Sequence, residues 1–143
     1  MNIAQILKAK GRAVATARPD AMLSDIIDKL AQKKIGAIVI VGDSGEVVGI
    51  VSERDLIRQL AERGAAALKE PVSKTMTSAV VSCQETSTLD EMMEMMTQGR
   101  FRHVPVIEDG SLVGIVSIGD IVKHHVAEVE MEVTAMREYF ATG

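Results

Sequence analysis

Apolar residues follow two different periods along this chain, and the change of period divides it into elements. Leu23, Ile26, Ile27, Leu30 and Ala31 fall at the three- and four-residue steps of a helix, with Ser24 placed as its cap. Ahead of them Val14-Ala15-Thr16 reads as a short strand and Pro19-Asp20 as a turn. Gly36 is expected to close the helix, after which Ala37 to Val41 is an unbroken apolar run of strand length. Asp43-Ser44-Gly45 carries hairpin turn chemistry, and Val47 to Val51 returns as the next strand. Ser52 then opens a further helix through Asp55, Leu56, Ile57 and Leu60, so the predicted order is β-α-β-β-α.

The same order is written a second time. Leu23-Ser24-Asp25-Ile26-Ile27 is echoed by Leu89-Asp90-Glu91-Met92-Met93, and Ile38-Val39-Ile40-Val41 by Val104-Pro105-Val106-Ile107. Val48-Gly49-Ile50-Val51-Ser52 returns as Val113-Gly114-Ile115-Val116-Ser117. An internal repeat of this length is a supersecondary unit that buries its apolar face against its copy. The expected fold is therefore α/β (α+β), with two β-α-β-β-α repeats and extra helices at the N- and C-termini. Residues 9–66 and 76–131 are the repeats, 67–75 the connector and 132–143 a C-terminal helix extension.

Near the end, Val122, Val126, Val129, Val133, Met136 and Phe140 recur at alternating four- and three-residue steps, a narrow apolar stripe on a charged helix. Packing on the protein's own core would account for the first half of the stripe. Its far end is expected to run beyond that core and to meet another subunit, in a homodimer or a dimer of dimers.

Composition narrows the function. Acidic residues outnumber basic ones by 20 to 16, for a net charge of -4, so the chain has no general attraction for nucleic acid. Aromatic residues are 2% and Trp is absent, so a bound base would have to sit between aliphatic side chains and backbone. No apolar run approaches the ~20 residues of a membrane span, and the first residues lack the pattern of a signal peptide, so a cytoplasmic location and no membrane partner are expected. A single cysteine, Cys83, cannot form an internal disulfide and reads as a small buried side chain. Met92, Met93, Met95 and Met96 read as core filling rather than a soft-metal surface. The adjacent His124 and His125 lack the spacing of a metal pair, and there is no phosphate loop of the P-loop type.

Gly49-Ile50-Val51-Ser52-Glu53-Arg54-Asp55 and Gly114-Ile115-Val116-Ser117-Ile118-Gly119-Asp120, with Arg102-His103-Val104-Pro105-Val106 before the second, carry a resemblance over nearly the whole chain. The repeat resembles the CBS domain, and the tandem pair is similar to the short bacterial proteins built of one such pair, a Bateman module. The resemblance implies approximate twofold symmetry, sheet packed against sheet, and two clefts for adenosine ligands such as AMP, ADP, ATP or NAD(H). It implies ligand contacts at Thr16, Ser52, Asp55, Ser82, Ser117 and Asp120, with Arg54, Arg102, His103, Pro105 and Gly119 in the matching motifs.

Chemistry makes the same pair plausible without the family. A serine after a strand and before a helix can meet an anion at the positive end of the helix dipole. An Asp one turn on can accept two hydrogen bonds from ribose hydroxyls. The competing reading is that Ser-x-x-Asp is a capping box, both side chains serving their own helix. Basic groups are needed to offset phosphate desolvation, and Arg54, Arg100, Arg102 and His103 are at hand. Strand alternation would send Arg102 and His103 to opposite faces, so at most one of them is expected to line a given cleft. His103 reads equally well as a packed, hydrogen-bonded histidine, and Thr16 and Ser82 as turn hydroxyls. The copies differ where Gly36 and Ala37 stand against Arg102 and His103, and Arg54 against Gly119, so their clefts cannot be equivalent. The expected function is a non-catalytic module that binds AMP, or NADH or ATP, and reports its occupancy to a regulated protein. The alternative is a structural dimer or adaptor with vestigial clefts.

Overall fold

The structure, a computed structural model, describes residues 1–142. Helix α1 (Ile3–Lys10) comes first, capped by reciprocal bonds between Asn2 and Gln5. The first repeat follows as β1 (Thr16–Ala17), α2 (Leu23–Lys33), β2 (Ala37–Val41), β3 (Val47–Ser52) and α3 (Glu53–Arg63). Two short 3-10 turns, Gly64–Lys69 and Val72–Lys74, make the connection. The second repeat contributes α4 (Leu89–Gly99), β4 (His103–Glu108), β5 (Ser111–Ser117) and the 25-residue α5 (Ile118–Thr142).

β2 is central in the first sheet, parallel to β1 and antiparallel to β3. Ala37, Ile38, Val39 and Ile40 are all buried, as an apolar run covered on both faces requires. In the second sheet β4 and β5 pair antiparallel through a turn in which Asp109 and Gly110 both take positive φ, 49° and 78°. That geometry suits the Asp-Gly pair and matches the twist of the flanking strands.

Several expectations are corrected. α2 is capped by Met22 with no side-chain bond, and Ser24 lies inside the helix. Lys34 in the left-handed region closes α2, not Gly36. β1 begins at Thr16 instead of Val14, and the second repeat has no regular strand before α4, only a parallel bridge from Cys83 to Val106. With so few residues in line, backbone pairing there reduces to the bonds Cys83 makes with the Pro105 and Ile107 backbone.

Each repeat's core is completed by a segment outside its β-α-β-β-α unit. Ala67 and Val72 of the connection are fully buried with Leu23, Ile26, Ile38 and Val51. Ile3, Ile6 and Leu7 of α1 are fully buried against the second repeat, among Met92, Val104, Val116 and Ile121. The equivalent glycines Gly49 and Gly114 provide the seats: a Cβ on Gly49 would fall 2.4 Å from Met76 Sδ, and one on Gly114 2.6 Å from Leu7 Cδ2. Gly114→Ala should therefore lower stability by about 1–3 kcal/mol through overpacking under α1. An unchanged urea midpoint would show that α1 is not seated on β5.

Cys83 is buried as expected, and burial, with the charge of Glu108 adding to it, pushes its thiol up to about 12. Met92 and Met96 lie in the core. On α5, by contrast, only Ile121 is buried; Val122 and Val126 are each 48% exposed. The first half of the apolar stripe is thus not spent on the protein's own core. His124, His125 and Glu128 turn toward the body of the repeat and the valines turn away. Among the described residues no helix is long and apolar enough to cross a membrane.

Candidate ligand cleft

Both Ser-x-x-Asp motifs sit where a strand feeds a helix, and both form capping boxes. Ser52 N–H donates to Asp55 Oδ2 at 2.9 Å and Ser52 Oγ donates to the same oxygen at 3.1 Å, while Asp55 N–H reaches back to Ser52 Oγ at 3.4 Å. In the second repeat Ser117 N–H donates to Asp120 Oδ2 at 2.8 Å and Asp120 N–H to Ser117 Oγ at 3.2 Å. Glu53 N–H, the next orphan donor of α3, bonds the Gly36 carbonyl at 3.0 Å. The start of α3 is therefore not a free set of amides awaiting an anion, and any phosphate there must be held chiefly by side-chain cations.

Those cations are present. A cleft of about 430 Å³ lies between the repeats, within the ~300–1,000 Å³ of small-molecule sites. The first repeat lines it with Ser52, Asp55 and, one helical turn apart on α3, Arg54 and Arg58. The second repeat adds Arg100 and Arg102 from the turn between α4 and β4, and His103 from the first position of β4. An apolar side is built by Ile50, Val80, Val81 and Phe101. Asp55 spends Oδ2 on its cap; Oδ1 takes no hydrogen bond from the described residues.

Arg102 and His103 both line this cleft, contrary to the expected alternation. Arg100 caps α4 in the left-handed conformation, and Arg102 falls in the bend before β4, so strand geometry does not yet apply to it. Gly36 gives the His103 ring its place: a Cβ there would meet His103 Nε2 at 3.1 Å. Burial lowers the pKa of His103, with Lys10 and Arg102 adding to that and Glu53 and Asp120 opposing it. The folded chain thus holds this histidine neutral longer than the unfolded chain does. Its contribution to stability is complete above the ordinary histidine range and is lost as pH falls through the lower folded value. Between about pH 7.5 and about pH 5.5, His103→Gln should lose less stability than the parent chain, read as urea midpoints; equal losses would assign the acid sensitivity elsewhere.

Six of the expected contacts lie outside this cleft. Thr16 pairs with Val39 in the first sheet, its carbonyl accepting from Lys29 Nζ. Pro105 is buried in β4 opposite Ile115, and Ser82 is exposed next to the Cys83 bridge. Ser117, Gly119 and Asp120 lie at the equivalent start of α5, where Lys10 Nζ bonds Asp120 Oδ2 at 2.7 Å. A side chain on Gly119 would meet only Ser117 Oγ, at 3.6 Å, so glycine there removes a counterpart of Arg54 without relieving any crowding. Arg58 was absent from the sequence reading although its i+4 spacing from Arg54 announces it. The extended Val80 and Val81 carried no such signal.

The family model described as CBS domain matches residues 10–62 and 72–127. Among solved structures, a CBS-domain containing protein from Agrobacterium tumefaciens is 50% identical, with a TM-score of 0.83 over 85% of this chain and 91% of its own. A mitochondrial CBS domain-containing protein of Arabidopsis thaliana is 31% identical over a 150-residue alignment that takes in 99% of this chain and 72% of its own. A CBS domain protein from Pyrobaculum aerophilum, solved in complex with AMP, is 27% identical, with a TM-score of 0.75 over 84% of this chain and 89% of its own.

Proposed function

The chain belongs to the CBS-domain family, as a pair of repeats, and on that premise we propose that it is a regulatory module that binds AMP in the cleft between them and performs no chemistry on it. The observation that carries the proposal is the composition of one cavity: its lining brings together a ribose-type acceptor, Asp55, four arginines, a histidine and an apolar side, with Glu53 as the other carboxylate. Asp55 Oδ1 accepts from the ribose hydroxyls. Arg54, Arg58, Arg100 and Arg102 surround the phosphate, and the adenine lies against Ile50, Val80 and Val81. Ser52 Oγ already donates to Asp55, so it must turn its hydroxyl to reach a phosphate oxygen. The number of arginines leaves room for ADP, ATP or NADH, which belong in the same comparison. The AMP complex of the Pyrobaculum relative supports the choice of AMP.

Calorimetric titration with AMP, ADP, ATP, NADH and S-adenosylmethionine tests this directly. The proposal expects AMP to bind most tightly and to be recovered unchanged after incubation; binding by none of the five removes it. Occupancy reports to a partner only if the ligand has unequal affinity for two arrangements of the pair.

A second reading, a dimeric adaptor, is favoured by α5. Val129, Val133, Met136 and Phe140 are 43, 41, 59 and 73% exposed, a continuous apolar line leaving the body of the chain. We assign this line to a second copy of the chain, in a homodimer compatible with nucleotide binding. If no ligand binds, it becomes the chain's main functional surface.

A further inference from the structure

We infer that Glu53 sets how many phosphates the cleft accepts, by holding the charge of its lining to that of a nucleoside monophosphate. This role rests on the reading of the cleft as a nucleotide site and names the residue that selects among nucleotides there. Six charged side chains line the cavity: Arg54, Arg58, Arg100 and Arg102 against Glu53 and Asp55. His103, the other ionisable group of the lining, adds no charge near neutral pH, because burial lowers its pKa. The lining thus keeps a surplus of two positive charges. A phosphate monoester carries about 1.5–2 negative charges at pH 7 and matches that surplus. Each further phosphate adds negative charge that the cleft has nothing left to meet. Without Glu53 one more positive charge would stand free, and a diphosphate would be matched instead.

Glu53 is the first residue of α3, and Gly36 holds it where the two repeats meet. Its N–H donates to the Gly36 carbonyl at 3.0 Å, and its side chain returns to the same residue: a Cβ on Gly36 would meet Glu53 Oε1 at 3.6 Å and His103 Nε2 at 3.1 Å. A carboxylate of the first repeat and an imidazole of the second therefore share one corner of the cavity, and the charge of Glu53 is felt at His103. Glu53 joins no ion pair among the described residues, and neither does any of the four arginines. The capping box of α3 is made by Ser52 and Asp55 without it. Its charge is left to act on whatever enters the cleft. An acidic residue in the first turn also suits the dipole of α3, a role that a stability measurement reads and a nucleotide preference does not. Glu53 and the arginines are exposed to solvent, so the selection fades with salt.

The test is the ratio of ADP to AMP affinity, by calorimetry at low salt, for the parent chain, Glu53→Gln, Glu53→Lys and, as a control farther along α3, Glu62→Gln. The parent chain is expected to favour AMP. Glu53→Gln is expected to move the ratio toward ADP by about fivefold, the effect of one unit charge at contact distance in water. Glu53→Lys should move it further the same way, Glu62→Gln should leave it unchanged, and high salt should shrink the shifts. An unchanged ratio in both Glu53 variants, an equal shift in Glu62→Gln, or tighter binding of ADP than AMP by the parent chain overturns the selecting role. If the Glu53 variants weaken both nucleotides alike, Glu53 positions the site without selecting, which overturns it equally. No binding of either nucleotide by any form would instead remove the nucleotide reading itself.

Discussion

Asp55→Ala should weaken AMP binding at least tenfold, a loss of about 1.4 kcal/mol or more. The carboxylate keeps one oxygen for its helix and offers the other to the ligand, and a hydrogen bond to a charged acceptor is worth about 1.5–3 kcal/mol. Because the same side chain completes the α3 cap, alanine also costs about 0.5–2 kcal/mol of stability. Asp55→Asn separates the two effects. It keeps an oxygen for the Ser52 N–H and loses the charge, so calorimetry should still find weakened binding while the urea midpoint stays near that of the parent chain. If both variants bind AMP as the parent does, Asp55 is a cap and nothing more.

The second large effect is on assembly. Val133→Asp together with Met136→Asp places two charges on the stripe of α5 well beyond Ile121, its buried anchor. These positions contribute nothing to the core of their own chain. The expected result by sedimentation is a dimer for the parent chain and a monomer for the variant, with AMP affinity unchanged to within about twofold. A variant that remains dimeric would move the contact elsewhere, and one that loses AMP binding as well would tie the cleft to the dimer.

Much of this architecture was legible in the residues because it is written as repeated pattern. The two hairpins, their turns and the helices opened by Ser52 and Ser117 follow from period and punctuation alone. The failures have a common cause in tertiary contact. Thr16–Ala17 and the stretch about Cys83 are too short for their periodicity to define a strand, and pairing with β2 and β4 decides their form. Ser24 looks like a cap, yet the bond from Leu23 N–H to the Glu70 carbonyl sets where α2 begins. The cleft was half legible. Ser52, Arg54 and Asp55 lie in one motif, and their meeting with Arg102 and His103 follows from repetition, whereas the side-by-side placement of those last two depends on the bend at Arg100. Lys10 could not be found that way, since nothing in its neighbours' sequence announces a partner at Asp120, 110 positions on.

A crystal structure of the chain soaked with AMP tests the central claim most directly. The account predicts one nucleotide per chain in the cleft between the repeats, its ribose hydroxyls on Asp55 and its phosphate among Arg54, Arg58, Arg100 and Arg102. AMP bound only at Asp120, with Lys10 drawn aside, or bound away from both motifs, would contradict it.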